Sequence, residues 1–172
     1  YPFDQILTMY ALGPAGFVIH AAGLVFEGRG VVFPGVSGAG KSTIARLAAA
    51  RPGWTPLRDD RIVLRRDGEA VRVHGSPWAG TGRVAASGSA PGAALLFLEK
   101  GQDHAVRPIS PAECLERLFP VISIPWFDAD AMGAGLEAAE AIARSIPAGV
   151  LTFRPETGAV EAVERHLGVL RA

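Results

Sequence analysis

Apolar positions along this chain gather in short, dense runs separated by glycine, proline and charge. "FVIHAAGLVF" and "GVVFP" flank "EGRG", which predicts a β-hairpin over residues 17–34. "KSTIARLAAA" is rich in helix formers and stops before "RPG", which predicts a helix over 41–50. "WTPLRDD" reads as a short strand ending in acid, and "RIVLRRDGEAVRVH" as a second hairpin turning at "RDGE". The periodicity then lapses over residues 75–92, "GSPWAGTGRVAASGSAPG", a long loop of the kind that tends to be functional. "AALLFLEK" has the form of a buried strand, with "HAVRPI" as its neighbour. "SPAE", Ser110 to Glu113, has the form of a capping box with proline at the first helical position, so a helix is expected over 111–118. A helix near 130–145, the strand "GVLTFRP" and a final helix "GAVEAVERHLG" complete the pattern. Strands lead, hairpins recur and helices cluster late. The expectation is an α/β fold on a mixed sheet, without internal repeat or linker, as one domain over 1–172.

Composition narrows the partners. Seventeen basic residues balance seventeen acidic ones, so the chain lacks the electrostatic footprint of a nucleic-acid binder. No apolar run reaches the ~18 residues that a membrane-spanning helix needs. The one cysteine, Cys114, rules out a disulfide within the chain and reads as a small buried side chain, which points to a reducing, cytoplasmic setting.

The candidate chemistry sits after the first hairpin. Gly35-Val36-Ser37-Gly38-Ala39-Gly40-Lys41-Ser42, followed by Thr43, matches G-x-x-x-x-G-K-[ST] in full. Gly35, Gly38 and Gly40 permit backbone angles that let loop amides converge on phosphate oxygens, and the following helix adds its positive end. Lys41 would reach the β- and γ-phosphates of ATP, and the Ser42 hydroxyl would ligate Mg²⁺. Asp59 and Asp60 close a short strand eighteen residues beyond that lysine, where a metal-bound triphosphate needs a carboxylate. One could hold Mg²⁺ and the other take a proton from an attacking hydroxyl. His20, alone among apolar residues, reads by itself as a core histidine. Arg83 and Trp78, in the long glycine-rich loop, are candidates to close over the transferring phosphate or its acceptor.

The order of these residues resembles a known family. A histidine fifteen positions before the loop, a hairpin, "GVSGAGKS", one helix and then "DDR" look like the C-terminal catalytic domain of HPr kinase/phosphorylase. Shorter HPr-kinase-like proteins are similar also in "HAAGLV", His20 to Val25, and in the "G-x-P-W-x-G" of Gly75 to Gly80. The resemblance covers most of the chain. It implies a P-loop on a mixed sheet, like that of phosphoenolpyruvate carboxykinase, the use of ATP and Mg²⁺, and transfer to a serine hydroxyl. It places Asp59 as candidate base and Asp60 as metal-side carboxylate, with exchange of the two roles open. It brings His20 to the phosphate or to the aspartate. It leans toward a homo-oligomer. The acidic "ExRG"-type signature of HPr kinases is absent after the DD segment, so the expected acceptor is a hydroxyl-bearing protein, peptide or small molecule, and phosphorylase activity is not expected. Two other readings stand beside a serine kinase: a small-molecule kinase of gluconate or adenylylsulfate type, and a non-catalytic ATP-binding sensor.

Overall fold

The computed structural model describes residues 3–58, 60–78 and 88–168. Among them, five helices surround nine strands. In chain order these are α1 (Phe3–Leu12), β1 (Gly16–Phe26), β2 (Arg29–Pro34), α2 (Lys41–Ala49), β3 (Trp54–Arg58), β4 (Arg61–Asp67) and β5 (Ala70–Gly75). There follow β6 (Ser89–Lys100), β7 (Ala105–Pro108), α3 (Pro111–Leu118), β8 (Ile122–Ser123), α4 (Ala129–Ser145), β9 (Ala148–Phe153) and α5 (Gly158–His166).

The two long strands, β1 and β6, each serve two sets of neighbours. The first half of β1 pairs antiparallel with β4 and β8, and its second half with β2 and β3. The first half of β6 pairs antiparallel with β5, and its second half runs parallel to both β2 and β9. The sheet is therefore mixed, as expected, and β2, β6 and β9 form its parallel centre. That arrangement aims the carboxyl ends of three neighbouring strands at one edge, where open α/β sheets bind ligands.

Burial on both faces explains the dense apolar runs. Along β1, Phe17, Ile19 and Ala21 enter a core with Ile62, Leu64, Leu118 and Ile142, beneath α3 and α4. Ala22, Leu24 and Phe26 enter a second core with Ile44, Ala48, Val160 and Val163, beneath α2 and α5. Side chains alternate along a strand, so His20 shares the face of Ala22 and Leu24, the side that carries α2. Cys114 is buried in the first core, where burial pushes its thiol up to about 11 and leaves it unreactive at neutral pH.

Three sequence expectations change. A helix, not a strand, leads the chain. The exposed apolar residues of α1 (Phe3, Leu7 and Tyr10) and its buried Gln5 run against the usual pattern. "HAVRPI" pairs with β9 rather than with β6, because β2, β5 and β9 already occupy the edges of β6. Finally, β6 begins at Ser89, inside the stretch expected to be loop. Pro91 and Gly92 read as punctuation but stand where β6 passes from β5 to β2. A Cβ at Gly92 would lie 2.8 Å from the Ile146 Cδ1 and 3.2 Å from the carbonyl of Val71, so a side chain at the crossing would have to displace Ile146 and press on the β5 backbone.

One buried ion pair ties α5 to the segment after α2. Glu164, 4% exposed, accepts from Arg51 Nε at 3.0 Å, Arg51 Nη2 at 2.7 Å and the Trp54 indole at 2.9 Å. Burial pushes its carboxyl pKa up, but the hydrogen bonds from Arg51 and Trp54 outweigh burial and hold it below 4.5. A depressed carboxyl stabilises the fold above its unfolded pKa, and the contribution is lost as pH falls through the folded value. Glu164→Ala leaves the Trp54 indole without its acceptor and Arg51 with only its 3.3 Å contact to the more exposed Glu161. Urea unfolding at pH 7 should show a loss of about 2 kcal/mol, shrinking below pH 4. A loss under about 0.5 kcal/mol would mean that the pair behaves as an ordinary surface bridge.

Candidate phosphate-binding site

The loop between β2 and α2 is anchored at both ends. The Gly35 amide donates to the His20 carbonyl at 3.2 Å, and the Ile44 amide to Gly40 at 3.0 Å. Gly38 and Gly40 have φ of 80° and 103°, which the sequence pattern demands. At Gly40 a side chain is also excluded by space, since a Cβ would lie 2.9 Å from the Phe153 ring. Lys41 opens α2 and is 7% exposed. Its ammonium donates to the carbonyls of Gly35 at 2.7 Å and Val36 at 3.0 Å, so the amine lies folded along the loop.

Opposite the loop stands a histidine–carboxylate pair. His20 Nε2 is 3.0 Å from Asp60 Oδ1. Asp60 adopts φ 87°, a strained angle for a residue with a side chain and one that recurs at functional sites. Its neighbours restrain it. The Ala21 amide donates to the Asp60 carbonyl at 3.3 Å, and the Arg61 guanidinium lies 3.9 Å from its carboxylate. Ser76, from the "GSPW" segment, is 5% exposed and donates to the Arg61 carbonyl at 2.7 Å. Sequence reasoning missed that role. The signal available was a small hydroxyl residue just after β5, whose register with β4 follows from the hairpin.

Burial lowers the His20 pKa first, and the Lys41 charge lowers it further. Asp60 raises it, but by less, so the imidazole is neutral at neutral pH and its Nε2–H can donate to Asp60. The cleft between loop and pair has a volume of about 430 Å³ and is lined by Ser37, Gly38, Gly40, Lys41, Ser42 and Thr43 on one side and by His20 and Asp60 on the other. His20, Lys41, Ser42 and Asp60, far apart in sequence, thus share one cavity. Trp78 lies elsewhere, its indole donating to Asp4 of α1. Asp59 and Arg83 lie outside the described residues.

The residues present suit a metal-bound polyphosphate. Loop amides and Lys41 supply cationic and donor groups, while Ser42 and Asp60 supply oxygen ligands of the kind Mg²⁺ takes alongside phosphate oxygens. Among the described residues no group of three His, Cys, Asp or Glu side chains could hold a metal by itself. No helix among them is long and apolar enough to cross a membrane.

No protein-family model matches the chain, and no curated protein matches its sequence. Solved structures do match. The HPr(Ser) kinase/phosphatase from Coxiella burnetii aligns with a TM-score of 0.53 at 15% identity, covering 87% of this chain and 95% of that one. The chain has an HPr-kinase-like, mixed-sheet α/β fold.

The state of His20 is open to direct measurement. In an NMR pH titration its ring should titrate below 6.5, and Asp60→Asn, which removes the raising influences, should move the midpoint lower still. A wild-type midpoint above 6.5 would show that the pair is an imidazolium–carboxylate ion pair instead.

Proposed function

We propose that the protein is an ATP- and Mg²⁺-dependent kinase that transfers the γ-phosphoryl group to a serine or other hydroxyl. The observation that carries this reading is the cleft shared by the P-loop and the His20–Asp60 pair. A loop alone would suit any nucleotide binder; a carboxylate held across from it suits phosphoryl transfer. The kinase/phosphatase named among the similar folds points the same way.

In this reading the loop amides cradle the phosphates and Lys41 swings from the loop carbonyls onto the β- and γ-phosphate oxygens. Bound Mg²⁺, taken by the Ser42 hydroxyl and the Asp60 carboxylate, would offset charge on those oxygens. His20, neutral and donating, positions Asp60. Asp59 receives the proton of the acceptor hydroxyl as its oxygen attacks the γ-phosphorus, and the bond to the β–γ bridging oxygen breaks to release ADP. Catalysis is then mainly positioning and charge stabilisation. The acceptor is a protein, peptide or small molecule, with Arg83 as its candidate contact; Trp78, bonded to Asp4, is not one. A cytoplasmic, homo-oligomeric protein fits this role.

The test is phosphoryl transfer from γ-labelled ATP into a lysate of the host. Label in a protein or peptide supports the serine-kinase form, and label in a small molecule favours the gluconate or adenylylsulfate form. Tight ATP binding with neither transfer nor hydrolysis leaves a sensor. Lys41→Ala should weaken ATP binding by roughly 100-fold. Asp59→Asn should keep ATP binding and slow transfer by about 100-fold or more, whereas Asp60→Asn should weaken the Mg²⁺ dependence of binding. The reverse outcome for the two aspartates would exchange their roles.

A further inference from the structure

The hairpin of β4 and β5 concentrates positive charge in a chain that is neutral as a whole. Arg65, Arg66, Arg72 and His74 line a hollow of about 190 Å³, with Asp67 as the one acid in its wall. Glu69, the other acid of the hairpin, sits in its turn. Arg65 and Arg72 stand directly opposite each other in the ladder, a placement of like charges that costs stability. Among the described residues, none of the three arginines forms an ion pair. Arg72 donates instead to the Ser89 hydroxyl of β6, at 2.9 Å. The charge reaches His74: burial lowers its pKa first, Arg72 and Arg65 lower it further, and Asp67 raises it by less.

This charge lies on a face that leads back to the phosphate cleft. Ile62, Leu64, Val71 and Val73 turn into the core beneath α3 and α4. The alternate residues Arg61, Val63 and Arg65, with Arg72 and His74 across the ladder, take the other face. Arg65 is exposed, and Arg72 and His74 partly so. Arg61, at the start of the row, lies 3.9 Å from the Asp60 carboxylate. At about 3.3 Å per residue, the row runs roughly 13 Å from Arg61 to Arg65, the span of about four residues of extended chain. Along this row β4 is paired on both sides, by β1 and β5, so it offers a partner no free backbone edge. Recognition there falls to side chains. Guanidinium groups suit carboxylates, which they bind through paired hydrogen bonds. A free oxyanion would need donors converging on one point, whereas these are spread along a row.

We infer that the outward face of the β4–β5 hairpin docks an acidic segment of the phosphoryl acceptor, which is then a protein or peptide with clustered Asp or Glu near the hydroxyl that is modified. That the docked partner is the acceptor rests on the kinase reading; the docking face itself does not.

Fluorescence anisotropy of the full chain, without nucleotide, tests the face directly. The probes are two labelled peptides with one central serine, the first flanked by glutamates and the second by glutamines. The glutamate peptide should bind at least about tenfold tighter than the glutamine one, and more weakly as salt rises. Arg65→Glu and Arg72→Glu should each weaken its binding about tenfold, and Arg65→Lys by less, while Mg-ATP binding stays unchanged. Arg66→Glu, fully on the surface, gives a second reversal if Arg72→Glu does not fold, with a loss of about threefold expected. Equal binding of the two peptides, or glutamate binding that survives reversal at Arg65, overturns the docking face. Displacement of the peptide by an equal concentration of inorganic phosphate overturns it in favour of a free-anion site. A wild-type chain that binds the glutamate peptide but not Mg-ATP keeps the face and removes the kinase reading, and with it the acceptor.

Discussion

The backbone around His20 is the tie on which the site depends. Its amide donates to the carbonyl of Val121, the residue before β8, at 2.8 Å, and its carbonyl accepts from Gly35, the first residue of the P-loop. The next amide, Ala21, donates to the Asp60 carbonyl, and the His20 ring meets the Asp60 carboxylate. Two consecutive residues of β1 therefore set the distance between the loop and the carboxylate that faces it. These bonds are possible because β1 serves two sets of neighbours. β4 leaves it near His20, where β2 takes up the pairing and runs into the loop.

The double burial of β1 makes that tie rigid. A strand covered on both faces cannot shift register without moving side chains out of two cores at once. His20 is partly exposed between buried neighbours, and it opens toward the α2 side. The strained φ of Asp60 is held by the same framework, through Ala21, Arg61 and, behind them, Ser76. Strain of this kind persists only where surrounding structure over-determines it. The "GSPW" segment thus has a structural task at Ser76 and a second one at Trp78, which reaches α1.

Electrostatics then assigns the protons. Burial of His20, and then the charge of the neighbouring Lys41, keep the imidazole neutral, and a neutral imidazole can orient a carboxylate without cancelling its charge. This division between a fixed cationic loop and an oriented anion fits phosphoryl transfer, in which the protein contributes placement and charge more than covalent chemistry.

Local patterns in the chain determined a great deal. Both hairpins, the P-loop with its helix, the capped α3 and the late helices were legible because turn residues, caps and apolar runs act over a few positions. The DD pair was legible as candidate chemistry from its spacing after the loop, and His20 from the resemblance it shares with the motif. Helix α1 was not, because Phe3, Leu7 and Tyr10 face outward while Gln5 is buried with Met9. The start of β6 was hidden by Pro91 and Gly92, whose purpose is a crossing between sets of strands that no local rule describes. Only the tertiary structure decided that His20 meets Asp60 and that Ser76 braces Arg61. Each of these joins residues from different strands, and which strands become neighbours depends on how the whole chain buries its two cores.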